Sequence, residues 1–237
     1  MLHLIEAWVP SLSTYSHDID FVFSLIFWIV GFWLLLTEGV FFWLILRFRK
    51  RDGVRAQYIT GELKSEKQWV HWPHMAVLVF DVLILVAAVR VWYNVKQDLP
   101  PAAQTVRIIG QQWAWSFVHP GPDGALDTAD DIATVDELHV QVDTLYHFKL
   151  EARDVLHSFS VPVFRLKQDA IPGRVITGWF EATKTGTHDI QCAEICGIGH
   201  GVMAARIVIE SPAEHAAWMA SQSPVSVASL SKSAVQE

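Results

Sequence analysis

The sequence predicts two membrane-spanning helices followed by a small all-β domain built as a sandwich or Greek-key barrel. Two long apolar stretches lie within the first 95 residues, basic residues concentrate between them, and the rest of the chain breaks into short strand-like segments. The chain has 237 residues, is 51% hydrophobic and contains 11 tryptophans, which is unusual for a soluble protein of this size. The composition therefore favours a membrane-anchored protein.

The two apolar stretches are predicted to be transmembrane helices. Residues 21–46 are almost wholly apolar, and at about 1.5 Å per residue they extend about 39 Å, which exceeds the hydrocarbon core of about 30 Å. Residues 72–95 form the second span. Both must be helical because backbone groups in lipid need internal partners. Glu38 and Asp81 lie inside the spans, so we expect both to face a partner subunit.

The basic residues predict the orientation of these spans. The connecting loop, residues 47–71, carries seven Lys and Arg residues, whereas residues 1–20 carry none. The loop is therefore expected in the cytoplasm, with the N-terminal segment and the β domain outside. Residues 1–20 lack the pattern of a cleavable signal peptide, so the first span is expected to act as an uncleaved signal. This favours a bacterial inner membrane, with a periplasmic domain, over a mitochondrial inner membrane.

Residues 96–222 are predicted to form the β domain. Short segments rich in β-branched and aromatic residues are separated there by Gly, Pro and Asp clusters, which is typical of an antiparallel sandwich or Greek-key barrel. The predicted strands are 105–109, 112–118, 137–142, 146–152, 175–181, 187–191 and 204–210. Residues 212–221 predict a final helix, and the Ser-rich residues 223–237 predict a flexible tail.

The loop from Cys192 to Met203 predicts a metal site. It reads Cys-Ala-Glu-Ile-Cys-Gly-Ile-Gly-His-Gly-Val-Met and contains both cysteines of the chain. Two thiolates, the imidazole of His200 and a thioether form a soft ligand set that selects copper. A cupredoxin-like barrel would hold such a metal at one end and take one more ligand from an earlier strand. His157, which lies 35 residues before Cys192, is the best candidate.

Two other interpretations of the cysteines remain open. A disulfide is common in an extracytoplasmic domain, but here it would close a very short loop and leave His200 and Met203 unexplained. A structural zinc site suits Cys and His ligands, but zinc rarely recruits Met, and the usual C-x-x-C pair is absent. Copper is therefore the favoured metal.

Taken together, these features resemble subunit II of the haem–copper cytochrome c oxidases. The resemblance covers roughly residues 20–215 and begins with the two-span anchor whose ends lie outside. The matching motifs, in chain order, are Gln112-Trp-Ala-Trp115, Asp154-Val-Leu-His-Ser158, Leu166-Lys-Gln-Asp-Ala-Ile-Pro-Gly-Arg174 and Cys192-x-Glu-x-Cys196-x-x-x-His200-x-x-Met203. The chain contains no Cys-x-x-Cys-His motif, so no fused c-type haem is expected.

The resemblance implies a dinuclear copper centre, CuA. The implied ligands are His157, Cys192, Glu194, Cys196, His200 and Met203. The cysteines would bridge the coppers, each histidine would cap one, the methionine would be a weak ligand to one copper, and the Glu194 carbonyl would bind the other. The resemblance further implies that the chain takes electrons from cytochrome c and passes them to haem in subunit I. Oxygen would be reduced to water there, coupled to proton pumping, so the chain would be one subunit of an oxidoreductase and translocase.

The resemblance also implies roles for three more groups. Trp113 is similar to the surface aromatic through which electrons enter, and the Glu194 side chain to a link with magnesium at the boundary with subunit I. Glu66 matches a glutamate near a proton-uptake path. Ala114 departs from the family pattern, which has an aromatic residue there, as does Phe159, where the family has tryptophan. A membrane-tethered copper-binding or copper-delivery protein, or a structural zinc domain, stays an alternative.

Charge predicts the kind of partner. Residues 96–237 carry 10 basic and 17 acidic residues, so they account for the whole net charge of −7. A field of one sign steers an oppositely charged partner, which favours a positively charged cytochrome c and no nucleic acid. The acidic residues proposed for this contact are Asp136, Glu137, Asp143 and Asp154. The Asp123–Asp131 loop has carboxylates at intervals seen in calcium sites, but we expect a solvated hairpin loop.

Overall fold

The computed structural model describes residues 8–56, 58–222 and 224, and the chain divides into two units. One unit is helical and spans Asp18–Tyr93, and the other contains the residues that follow together with the N-terminal segment. The predicted tail, residues 223–237, lies outside the described residues except for residue 224. Residues 1–7 of the predicted N-terminal segment lie outside them as well.

The helical unit consists of α1, Ser16–Phe48, and α2, Lys64–Trp92, which continues in a wider turn, Tyr93–Gln97. Both helices are long and apolar enough to cross a membrane, with a mean hydropathy of 2.3 in each, and the predicted spans fall inside them. Most of their apolar side chains are exposed, as expected for helices that are surrounded by lipid. The helices contact each other through Trp33 and Phe80, whose ring centroids are 5.9 Å apart.

The second unit is a β-sandwich of two five-stranded sheets. The first sheet has the order β3-β2-β1-β5-β8, and the second has the order β4-β10-β9-β6-β7. The strands are β1 Gln104–Gln111, β2 Ala114–His119, β3 Ile132–Val135, β4 Glu137–Gln141, β5 Leu145–Ala152, β6 His157–Val161, β7 Leu166–Ala170, β8 Ile176–Glu181, β9 Gly186–Cys192 and β10 Ala204–Glu210. The predicted fold class, two apolar helices followed by an all-β domain, is confirmed.

The seven predicted strands are present, but the prediction missed three strands and part of the pairing. It missed β3, which has four residues, as well as β6 and β7. The expectation of antiparallel pairing is wrong at two places, because β1 pairs in parallel with β5 and β10 pairs in parallel with β4. Each of these pairs joins strands far apart in sequence, as long Greek-key connections allow.

Aromatic side chains fill the space between the sheets. Phe159 on β6 is fully buried, and its ring lies 5.5 Å from that of Trp115, 6.2 Å from that of Phe148 and 6.4 Å from that of Phe117. Interlocked aromatic pairs of this kind contribute more than their buried area alone. Phe159 stands where the family has tryptophan, and its ring occupies the centre of the core.

The N-terminal segment packs against the sandwich. Leu12 N donates to Val163 O at 2.8 Å, and Thr183 N donates to Leu12 O at 2.9 Å. Ser13 and Tyr15 are buried there as well. Because two potential spans separate this segment from the sandwich, their direct contact requires both to lie on the same side of a membrane. This agrees with the predicted hairpin.

The predicted C-terminal helix is confirmed as α3, Pro212–Ser221. Ser211 and Glu214 form a capping box, in which Ser211 N donates to Glu214 Oε2 at 2.9 Å. Trp218 then stacks on His139, with ring centroids 4.1 Å apart, and contacts the ring of His119 edge-on at 5.0 Å. This cluster attaches α3 to the sandwich.

We predict that His119 makes the sandwich less stable in acid. Burial lowers the pKa of His119 to about 3, and the charges of His139 and His215 add to this effect. Between pH 6.5 and 3, His119 is therefore protonated in the unfolded chain and neutral in the folded chain. Its contribution should lower the free energy of unfolding by about 1.4 kcal/mol per pH unit as the pH falls below 6.5. Urea unfolding of the full chain in detergent across this range measures the slope.

The matched variant is His119→Phe, which keeps a ring beside Trp218 and removes the titrating group. His119 Nε2 has no hydrogen-bond partner among the described residues, so the substitution should not break a bond at that atom. The pH slope of the variant should be shallower than that of the native chain by the amount stated. Equal slopes for the two proteins would show that His119 does not cause the acid sensitivity.

Candidate metal centre

Four side chains converge at one end of the sandwich. The Sγ atoms of Cys192 and Cys196 are 3.7 Å apart. His157 Nδ1 lies 3.9 Å from Cys192 Sγ, and His200 Nδ1 lies 3.7 Å from Cys196 Sγ. Each cysteine therefore has one imidazole beside it. Cys192 ends β9 and His157 begins β6, so two paired strands supply one half of the cluster and the following loop supplies the other.

Two more predicted residues complete the cluster. Met203 Sδ lies 3.7 Å from Cys196 Sγ, and the Glu194 carbonyl oxygen lies 3.3 Å from Cys192 Sγ. The loop is closed by Met203, whose carbonyl accepts a hydrogen bond from Cys192 N at 3.2 Å. The structure thus brings together all six residues that the sequence nominated as ligands, and their metal binding stays a prediction.

The cysteines are free thiols, so the disulfide interpretation is wrong for this structure. Their separation of 3.7 Å far exceeds a sulfur–sulfur bond of about 2.05 Å. Burial raises the pKa of the Cys196 thiol to about 11, and the neighbouring Cys192 is the second cause of this increase. A cation must therefore displace a proton to bind this thiolate, which couples metal binding to proton release.

Asp154 fixes the orientation of His157. Its Oδ1 lies 2.8 Å from His157 Nε2 and accepts from Val155 N at 2.7 Å, while its Oδ2 accepts from Gln112 N at 2.7 Å. Burial would raise the pKa of Asp154, but these hydrogen bonds outweigh it and hold the pKa below its usual range. An ionised Asp154 accepts a hydrogen bond from Nε2–H of His157, and Nδ1 of the same ring then faces the sulfur cluster.

Gln112 and Trp113 hold the other side of the loop. Gln112 Nε2 donates to the Cys196 carbonyl oxygen at 2.8 Å, and Trp113 Nε1 donates to the same oxygen at 3.3 Å. A Cβ atom added at Gly199 would lie only 2.4 Å from Trp113 Cδ2, so the indole lies directly against the loop backbone. Trp113 is nevertheless 38% exposed. It therefore reaches from the solvent to the backbone of a cluster cysteine.

The sequence analysis does not nominate Gln112 for the metal site, and it proposes Asp154 only for contact with cytochrome c. Both lie inside motifs that were recognised, Gln112-Trp-Ala-Trp115 and Asp154-Val-Leu-His-Ser158. Their roles depend on the β1–β2 turn lying beside the metal loop, which is a tertiary contact. The sequence signals for these contacts are that Gln112 directly precedes Trp113 and that Asp154 lies three residues before His157.

The metal loop also presents apolar side chains to solvent. Ile198 is 95% exposed, and Ile195 and Val202 are exposed beside it. Together with the exposed part of Trp113, these three residues form a surface that we call the loop patch. An apolar patch next to a polar surface is typical of a protein interaction site.

Two other sequence hypotheses fall on residues with visible structural roles. Glu66 caps α2, because its Oε2 accepts from Gly61 N at 2.9 Å and from Leu63 N at 3.4 Å. In the Asp123–Asp131 loop, Asp127 pairs with Arg107 at 2.8 Å, and Asp131 accepts from Asp127 N at 2.9 Å. The Asp127 carboxylate thus ties the loop to β1, and the Asp131 carboxylate holds the loop backbone.

The donor set at the end of the sandwich fits copper. Among the described residues, His157, Cys192 and Cys196 are the only group of three or more His, Cys, Asp or Glu side chains whose ligand atoms lie within 4.8 Å of one another. The adjacent methionine sulfur adds a further soft donor. Soft sulfur and imidazole donors without a carboxylate favour copper over magnesium, calcium or manganese.

Comparisons with known proteins identify the family of this chain. A family model described as "Cytochrome C oxidase subunit II, periplasmic domain" matches residues 104–212. The alternative cytochrome c oxidase subunit 2 of Bradyrhizobium diazoefficiens is 32% identical over 94% of this chain and 87% of its own length. Cytochrome c oxidase subunit 2 of Cereibacter sphaeroides is 29% identical over 82% of this chain and 75% of its own. The crystal structure of the periplasmic domain of subunit II of cytochrome oxidase of Bradyrhizobium japonicum is 30% identical, covers 52% of this chain and 95% of that chain, and has a TM-score of 0.47.

We predict that Asp154→Asn weakens copper binding. The substitution keeps the shape of the side chain but removes the charge that orients and polarises His157, so the affinity for copper should fall about 10–100-fold. Competition between the full chain and a copper chelator measures this affinity. Asp143→Asn is the control, because Asp143 is an exposed carboxylate on a turn away from the loop. Equal affinities for the two variants would contradict a positioning role for Asp154.

Proposed function

The chain belongs to the cytochrome c oxidase subunit II family, and from this premise we propose that it is the electron-entry subunit of a respiratory terminal oxidase. Its relatives are subunits of an oxidoreductase. The observation that best supports the proposal is the arrangement of two thiols 3.7 Å apart with one imidazole beside each. The two apolar helices fit a membrane anchor for an outer domain.

The proposed cofactor is a dinuclear copper centre, CuA, held by the six residues of the cluster. Bound copper supplies one-electron redox chemistry. The chain contributes a pre-shaped site, because Ala193 N donates to Ser158 O at 2.9 Å and His200 N donates to Gly197 O at 3.1 Å. These bonds fix the loop to β6 and to itself, so the ligand atoms have little freedom to move when the charge of the site changes.

Trp113 is proposed as the point of electron entry. Its ring is partly exposed, and its Nε1 donates to the carbonyl of Cys196, which gives a short bonded path from the surface to a ligand. The loop patch around it provides an apolar contact, and the net charge of residues 96–237, 10 − 17 = −7, attracts a basic partner. We propose cytochrome c as that partner, and haem in subunit I as the acceptor, where oxygen reduction is coupled to proton pumping.

Two of the four acidic residues proposed for this contact have partners inside the domain. The Asp136 carboxylate accepts from Trp115 N at 2.8 Å, and Asp154 is engaged with His157. Both are therefore used inside the domain. Glu137 and Asp143 are exposed, but Asp143 lies on a turn away from the metal loop, so Glu137 remains as the candidate for contact with cytochrome c.

Two further roles are proposed, one for Glu194 in the metal loop and one for Glu66 at the start of α2. The Glu194 side chain is proposed to share a magnesium ion with subunit I, because the contact of this residue with Cys192 is made by its backbone carbonyl and not by its carboxylate. Glu66 is proposed to lie near the entry of a proton path. Its contacts with Gly61 N and Leu63 N also give it a structural role, so any test of Glu66 must separate the two.

The first test is the electron paramagnetic resonance spectrum, with visible absorption, of the full chain loaded with copper in detergent. We expect a purple protein whose single unpaired electron is shared equally by two coppers, because each thiolate lies within reach of both halves of the cluster. A signal from a single copper would favour a tethered copper-delivery protein instead. A colourless protein that binds zinc tightly would contradict both functions. Cys196→Ser should abolish the purple form.

We predict that Trp113→Phe slows electron entry while the copper site persists. The substitution removes the indole that contacts the Cys196 carbonyl, so reduction of the site by cytochrome c should slow about tenfold or more, a change in barrier of about 1.4 kcal/mol. Stopped-flow absorption of the assembled oxidase measures this rate. Trp218→Phe on α3 is the control, because Trp218 contacts His139 rather than the metal loop. Similar rates in both variants would remove Trp113 from the path.

A further inference from the structure

A pocket lined by cationic side chains lies where α1 ends and the connecting loop begins. Its volume is about 530 Å³, which is ample for a phosphate group and its immediate substituents. Four arginines and one lysine line it: Arg47, Arg49, Lys50, Arg51 and Arg55. All of these residues are exposed. The copper centre uses none of them, and the positive-inside rule accounts for their side of the membrane but not for their shared pocket.

The charge of this pocket is not compensated within the chain. Residues 47–55 carry five basic residues and one acidic residue, Asp52, so their net charge is 5 − 1 = +4. Asp52 does not line the pocket. In the described ranges 8–56 and 58–222, none of the five cations forms an ion pair with a carboxylate. Cations crowded at one place repel each other unless an anion is supplied from outside.

The pocket also has an apolar wall. Phe48 and Val54 line it and are exposed, and the Arg47 guanidinium lies 5.6 Å from the centroid of the Phe48 ring. An inorganic anion would leave these side chains in water. A ligand that joins a phosphate to a hydrocarbon would satisfy both the cations and the apolar wall.

The position of the pocket along the chain indicates where such a ligand is found. The apolar run of α1 ends at Leu46 and the basic cluster starts at Arg47, which is the transition expected where a span leaves the hydrocarbon and enters the headgroup layer. Clusters of basic residues next to a span attract anionic lipids. Arginine binds phosphate oxygens through two parallel hydrogen bonds, which gives geometric specificity.

We propose that this pocket binds the headgroup phosphate of an anionic membrane phospholipid. The lipid would neutralise the cations and place its glycerol and upper acyl chains against Phe48 and Val54. It would also fix the depth of α1 in the bilayer. This inference rests on the membrane anchoring in the proposed function, but it does not depend on the copper centre.

The test uses the full chain in detergent and native mass spectrometry with phosphatidylglycerol or phosphatidylcholine as the added lipid. The pocket variant is Arg49→Gln with Arg51→Gln. At about 1 kcal/mol per cation, loss of two cations should weaken phosphatidylglycerol binding about 30-fold. The matched control is Lys64→Gln with Lys67→Gln, which removes two charges from the same connecting region outside the pocket and should change binding less than threefold.

Three results would overturn the proposal. Equal binding of the two lipids would show no preference for the anionic headgroup, and equal losses in the pocket and control variants would show diffuse attraction to the loop. Displacement of the lipid by millimolar inorganic phosphate would assign the pocket to free phosphate. The helical circular dichroism and the copper spectrum of each variant should match those of the native chain. Failure of the copper centre would change the spectrum and leave lipid binding intact, so the two proposals fail separately.

Discussion

The antiparallel pairing of β6 with β9 is the interaction on which the candidate metal centre depends. Phe159 lies opposite Cys192, and Ala193 N extends the ladder by donating to Ser158 O at 2.9 Å. This register places His157 beside the thiol of a residue 35 positions later. A slip of one residue would turn every side chain of β6 to the other face of the sheet. The burial of the Phe159 ring among Trp115, Phe117 and Phe148 opposes such a slip.

The electrostatics of the site follow from this geometry. The two thiols are buried together, and burial, followed by the neighbouring Cys192, raises the pKa of the Cys196 thiol. Asp154 is held as an anion by three hydrogen-bond donors, and it orients His157 before any ion is bound. A bound metal cation would stabilise the thiolates, and the hydrogen bonds of Asp154 and of the loop backbone are formed without it.

The sequence predicted the parts of this protein that depend on local pattern. Alternating or continuous apolar runs gave both helices and seven strands, and the spacing of soft ligands gave the cluster. It missed β6, His-Ser-Phe-Ser-Val, and β7, Leu-Lys-Gln-Asp-Ala, because small polar and charged residues form strands only when neighbours supply the pairing. The contacts of Gln112 and Asp154 with the metal site were missed for a similar reason. Their hydrogen bonds join three loops, and no single segment encodes that meeting.

The two units carry opposite charges that suit different surroundings. Residues 47–55 have a net charge of +4 next to an apolar helix end, whereas residues 96–222, with 9 basic and 16 acidic residues, have a net charge of −7 on a folded domain. The cytoplasmic leaflet of a membrane has a high density of anionic lipids, so a small basic cluster is enough to bind it. A soluble basic protein must instead be attracted over a distance and then released, which a diffuse acidic surface achieves without tight ion pairs. Because salt screens exposed charges, added salt should weaken the transient encounter at the acidic domain strongly. Contact at the basic pocket should be less sensitive, since Phe48 and Val54 add an apolar component that salt does not screen.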